Sequence, residues 1–140
     1  MNSANILQQL VAHISGLIAE MEAQAFQQAG FAELSMRQIA YLETIIRLGH
    51  PSFGELADGL GVTRPSVTAI VSKLVKLDYV QKVQDHEDMR SFHIVPTEKG
   101  KEFTRVHADL HQSIVHRLTA RLNEVEIQQL AALLAKALDM

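Results

Sequence analysis

The sequence has no cysteine, only three prolines, and few aromatic residues, 5% of the chain. The missing cysteine excludes disulfides, thiolate metal sites, thiol catalysis and cysteine redox sensing together. It fits a reducing compartment, and a cytoplasmic location is expected. No apolar run approaches the ~18 residues that suggest a membrane helix. The opening residues, M-N-S-A-N-I-L-Q-Q-L, carry no basic stretch ahead of an apolar core, so no secretory signal is expected. There is no Gly-rich phosphate loop, and no paired-carboxylate or Ser/His arrangement of recognisable geometry. Neither an enzyme nor a cofactor is therefore expected. An excess of basic residues is missing too: 13 Lys and Arg stand against 16 Asp and Glu, a net charge of -3. Taken alone, that balance argues against a nucleic-acid binder.

What remains is an ordinary globular composition, 47% hydrophobic and 21% charged over 140 residues, enough for one domain. Leu7, Leu10, Val11, Ile14, Leu17, Ile18, Met21 and Ala25 recur at three- and four-residue steps, predicting a long helix from Asn5 to Ala29. Its stripe is too long for a small globule to cover, so part of it is expected to meet another subunit. Ser35 followed by Gln38, and Ser52 followed by Glu55, have capping-box spacing and open a second and a third helix. Thr63 caps a fourth, with Pro65 in its first turn. Val67, Ile70, Val71, Leu74 and Leu77 form the inner stripe of that helix. Tyr79–Val83 and the stretch around Phe92 and Ile94 read as two strands of a hairpin, ended by Pro96. Thr97 caps a fifth helix reaching to about Leu122, and Asn123 with Glu126 starts a sixth.

Two short helices joined by a glycine-containing turn, the second polar on one face, form a helix-turn-helix. The span from Ser52 to Leu77 fits. Arg64 suits a guanine edge or a phosphate; Ser66 and Thr68 suit close approach to either; Lys73 and Lys76 suit phosphates. The competing reading is a helical hairpin with no nucleic-acid role, since such geometry recurs in proteins that never touch DNA. A hairpin directly after the second helix adds a wing. Its turn D-H-E-D-M-R places Arg90 where it can enter a minor groove. Asp88 is expected to fold back and orient Arg90; otherwise the turn is an exposed loop with a weak ion pair.

The blocks F-G-E-L-A-D-G-L-G-V-T-R-P-S-V-T-A-I-V-S-K-L (53–74), D-H-E-D-M-R-S (85–91) and P-T-E-K-G (96–100), and their spacing, resemble the multiple-antibiotic-resistance regulator (MarR) family over essentially the whole chain. The resemblance implies a mainly α fold with a small β-hairpin wing, a winged helix-turn-helix with long N- and C-terminal dimerisation helices. Residues 1–34 would form the N-terminal dimerisation helix, 35–100 the DNA-binding domain, and 101–140 the C-terminal dimerisation helices. It implies a homodimer on a pseudo-palindromic operator in double-stranded DNA, acting as a repressor released by a small-molecule effector. The family's contacts fall on Thr63, Arg64, Ser66, Thr68, Ala69 and Lys73 of the recognition helix, on Arg90 of the wing, and on Ser35 and Arg37. Ala69 departs from the longer polar residue common in the family, and Met89 from its second wing cation or glycine.

Two other functions stay open. His107 and His111 lie four apart on the fifth helix and make a candidate zinc pair, for which Glu20, Glu22, Glu33, Glu43 and Asp109 are possible further ligands. Zinc-responsive relatives also use a histidine early in the second helix, where Ala40 stands here. The plainer reading of the pair is a hydrophilic helix face lining a cleft or subunit interface. The third function is a protein-interaction module that does not bind DNA. The distribution of charge bears on the choice. Residues 61–105 hold eight Lys and Arg against six Asp and Glu, and the rest hold five against ten. From 61 to 77 there are three cations and no acid. Phosphate neutralisation is modest on this count, so a shallow salt dependence of DNA binding is expected.

Overall fold

The computed structural model describes residues 2–31 and 34–140. Along the described chain the order is α1 (Ser3–Ala29), α2 (Met36–Leu48), α3 (Phe53–Leu60), α4 (Arg64–Lys76), β1 (Val80–Gln84), β2 (Phe92–Pro96), α5 (Glu98–Thr119) and α6 (Glu124–Ala137). This is the mainly α fold with one hairpin wing that the sequence predicts. The chain divides into two compact units, residues 23–108 and residues 1–22 with 109–140.

Local capping chemistry sets most helix starts. Ser35, Ser52 and Asn123 each accept from the backbone of the residue three on, and that residue's side chain returns the bond to the cap backbone. Helix α1 begins two residues earlier than its apolar period predicts, because Asn2 Oδ1 accepts from the Asn5 N–H at 2.9 Å. Helix α5 stops at Thr119, and the Leu122 N–H turns back to the Thr119 carbonyl.

In the unit 23–108, Leu42, Ile45, Leu56, Val67, Val71, Leu74 and Ile94 are fully buried from α2, α3, α4 and β2. The few aromatics are concentrated beside them. Phe26 stacks on Phe103 at 4.7 Å between centroids, while Phe31 and Tyr79 meet Phe103 edge-on at 5.5 and 5.3 Å. Such pairs add about 0.5–1.5 kcal/mol each beyond burial. The strands pair antiparallel from Val80↔Pro96 to Gln84↔Phe92. Tyr79, predicted as the first strand residue, instead precedes the ladder. Its carbonyl accepts from the Thr97 N–H at 3.0 Å. Pro96 is the last residue of β2, at a ladder end where its lack of an N–H is tolerated.

The start of α5 clamps the turn between α4 and β1. Thr97 Oγ1 donates to the Asp78 carbonyl at 2.6 Å and accepts from the Gly100 N–H at 3.0 Å. Lys99 Nζ donates to the Leu77 carbonyl at 2.9 Å and lies 4.8 Å over the Tyr79 ring. Asp78 is left-handed, φ 65, and the Tyr79 N–H reaches back to Leu74. These bonds give the P-T-E-K-G block a structural role: it fixes where the recognition helix ends and the wing begins.

In the unit of 1–22 and 109–140, α6 has no fully buried side chain. Leu7 (61%), Val11 (62%), Leu133 (67%) and Leu138 (67%) are exposed.

Candidate nucleic-acid interface

The turn between α3 and α4 depends on Gly61, which is left-handed at φ 65, ψ 37, where a side chain is strained. The Val62 N–H then bonds back to Ala57 at 3.0 Å. Thr63 follows in extended conformation and caps α4: its Oγ1 accepts from the Ser66 N–H at 3.4 Å and shares a 3.0 Å bond with Ser66 Oγ. With Val67, Val71 and Leu74 buried, the helix period turns Arg64, Thr68, Ala69, Lys73 and Lys76 outward, and all five are exposed. Three of the hydroxyls already have partners. Besides the Thr63–Ser66 bond, Thr68 Oγ1 donates to the Arg64 carbonyl at 3.1 Å. Thr68 therefore faces outward with acceptor lone pairs and a methyl group, which suit a base amino group or a thymine methyl.

Arg64 lies against α3. A Cβ built on Gly54 would fall 2.6 Å from Arg64 Nη2. The glycine leaves room for the guanidinium, a relation that periodicity in the sequence did not reveal. Lys73 and Lys76 occupy the last turn of α4, where they also complement the helix dipole. Ser35 and Arg37 stand exposed at the N-terminal turn of α2, whose capping box orders the turn. Its outward amides suit an anion.

The wing carries acidic residues, and the structure shows what two of them bind. Asp88 folds back, but its bond goes to the backbone of Arg90 and not to the guanidinium. Oδ1 accepts from the Arg90 N–H at 3.0 Å, and Oδ2 from Ser91 Oγ at 3.1 Å. Asp85, whose part was not legible in the sequence, takes the Glu87 N–H on Oδ1 at 2.9 Å and lies 3.9 Å from His93 Nδ1. Both carboxylates thus fold into their own loop, while His86, Glu87, Met89 and Arg90 stand exposed around the turn. The Ile94 N–H donates to the Pro51 carbonyl at 2.8 Å, and Ser52 bridges His93, so β2 is tied to the entrance of α3.

The histidine pair is separated by environment. His107 is 6% exposed; its Nδ1 lies 3.0 Å from Glu43 Oε1, and its ring stacks on Phe26. His111 is exposed and lines a groove with His116. Of the ligands considered for a zinc site, Glu43 does meet His107, while Glu33 lies outside the described residues. Among the described residues no group of three or more His, Asp or Glu is placed to hold a metal ion.

A recognition helix, its supporting helix and a hairpin wing define a winged helix-turn-helix protein. Residues 34–92 match the model of the MarR family. The chain is 28% identical over 137 residues to the transcriptional repressor MprA of Escherichia coli, covering 96% of this chain and 76% of that one. Among solved structures, Streptococcus pneumoniae FabT in complex with DNA aligns with a TM-score of 0.70 at 19% identity, covering 99% of this chain and 96% of that one. A mutant of S. aureus MepR bound to an oligodeoxyribonucleotide aligns with a TM-score of 0.69 at 20% identity, covering 99% and 98%. These structural likenesses establish the fold.

Proposed function

We propose that the protein is a dimeric, sequence-specific DNA-binding transcriptional regulator, a repressor released by a small-molecule ligand, and not an enzyme. The observation that carries this reading is the outer arc of α4. It presents Arg64, Lys73 and Lys76 without an acidic residue between 61 and 77, beside a wing whose Asp85 and Asp88 are engaged in its own loop. Thr63, Arg64, Ser66, Thr68 and Ala69 then face base edges and nearby phosphates in the major groove. Lys73, Lys76, Ser35 and Arg37 hold phosphates, and Arg90, positioned by Asp88, enters the minor groove. Two relatives of this fold are DNA complexes by description, and MprA is described as a repressor; both support the reading. The exposed Leu7, Val11, Leu133 and Leu138 support a dimer, since a single chain leaves this apolar surface in water. The division of labour assigns residues 35–100 to DNA, and 1–34 with 101–140 to dimerisation.

Combining Arg90→Ala with Lys73→Ala tests the assignment. Affinity for a palindromic duplex is expected to fall by about 1–3 kcal/mol with the dimer intact. Unchanged retardation of the duplex refutes it. No described helix is long and apolar enough to cross a membrane, and action on DNA suits a cytoplasmic location.

A further inference from the structure

Met89 is the one apolar side chain between Asp85 and Ser91, and it is 62% exposed. A lone exposed apolar residue is commonplace; the place of this one is not. The Ser91 N–H donates to the Asp88 carbonyl at 2.9 Å, which makes Met89 and Arg90 the two central residues of a β-turn. Both have negative φ. That excludes the type II and mirror-image forms and leaves type I, which Asp favours at its first position. The turn is held from within. Asp88 takes the Arg90 N–H and the Ser91 hydroxyl, Gln84 Nε2 donates to the Met89 carbonyl, and the Asp85 N–H donates to the Ser91 carbonyl at 2.8 Å. These bonds use the Met89 backbone and leave its side chain out of the turn's own construction.

We infer that Met89 determines sequence specificity: it lies in the minor groove beside Arg90 and rejects a G·C pair there. The inference rests on the DNA-binding reading of the wing and adds what the wing reads. Neighbouring Cα atoms are ~3.8 Å apart, close to the ~3.4 Å rise of one base pair. A groove that admits Arg90 therefore receives Met89 within about one pair of it. Methionine is among the apolar side chains that enter minor grooves. On the groove floor the acceptors are common to all pairs, and only guanine adds a donor, its N2 amino group. A thioether is a weak acceptor and covers that donor without satisfying it. Arg90 supplies charge; Met89 supplies the discrimination.

The test uses the inverted-repeat duplex recovered by wild-type protein from a random pool. Each pair flanking the half-sites is set in turn to A·T, G·C or inosine·C, which lacks the N2 amino group. Retardation is measured for wild type, Met89→Gln and Met89→Leu, and the readout is the ratio between flanks, in which a general change of affinity cancels. For wild type, G·C at one flanking position should cost about tenfold against A·T, and inosine·C should bind like A·T. Met89→Gln, whose amide oxygen accepts from the amino group, should cut the G·C penalty to about threefold or less, and Met89→Leu should keep it. An undiminished penalty in Met89→Gln, inosine·C as poor as G·C, or no penalty at any flank in wild type overturns the role of Met89 and leaves the regulator reading standing. A wild-type protein that retards and enriches no duplex overturns both.

Discussion

Two glycines separate the clamp from the recognition surface, because the same substitution at each meets a different obstacle. Gly100 is buried in the first turn of α5, and an added Cβ would fall well inside 3.0 Å of the Tyr79 carbonyl oxygen and 3.2 Å from its carbon. That carbonyl is fixed by the Thr97 N–H, and neighbouring carbonyls by Thr97 Oγ1 and Lys99 Nζ. Gly100→Ala gains about 1 kcal/mol of helix propensity. Against this stand about 1–3 kcal/mol of overpacking and about 1 kcal/mol for each clamp bond displaced. The net expectation is a loss of about 2–3 kcal/mol, or a melting point lower by roughly 5–10 °C. At Gly54 the added Cβ meets only the far end of Arg64, at 2.6 Å from Nη2. The side chain swings aside, helix propensity rises, and Gly54→Ala keeps or gains stability while duplex affinity falls by about tenfold, as expected when one directed Arg interaction is removed. Urea denaturation at equal protein concentration, with unchanged slope, measures the first effect, and duplex retardation the second. A Gly100→Ala protein as stable as wild type refutes the clamp. A Gly54→Ala protein with wild-type DNA affinity refutes the role of Arg64.

Other expected outcomes involve single interactions. Asp88→Ala removes two bonds inside the wing turn, so duplex binding weakens while the melting temperature moves little, because the turn is exposed. Equal DNA affinity in that variant would show that the turn needs no such support. Glu43→Ala takes from the buried His107 the acceptor of its Nδ1 bond and costs about 1–3 kcal/mol in denaturation, which Glu43→Gln partly restores. Leu133→Glu, at a side chain 67% exposed, should convert the dimer to monomer in light scattering and abolish tight duplex binding. A dimer that survives it moves the interface elsewhere. Raising salt should weaken duplex binding with a shallow slope, and removing Lys73 and Arg90 together should lower that slope by about 0.9 for each phosphate no longer neutralised.

The parts of the fold legible in the sequence are those set by short-range chemistry. The three capping boxes involve residues three apart, and the structure forms all of them. The inner stripe of α4 and its exposed cations likewise follow from the helix period. Sequence and structure part where a distant segment competes for the same atoms. Tyr79 has the composition of a strand residue, but Thr97 takes its carbonyl and the aromatic cluster takes its ring. Asp88 is legible as a residue that folds back, whereas its true partner, a backbone amide, has no signature in residue type. His107 and Glu43 are far apart in the chain, so their buried hydrogen bond could not be read from spacing. The net charge of -3 conceals the acid-free stretch from 61 to 77, and the structure turns its three cations outward on one helix.

The most direct test of the central claim is selection of bound duplexes from a random pool by the full-length protein. Two recognition helices related by a dimer axis should enrich an inverted repeat whose half-site centres lie about one helical turn apart, ~10 base pairs. The Arg90→Ala/Lys73→Ala protein should fail to enrich it. A pool that stays unenriched, or that converges on single half-sites without symmetry, contradicts the account.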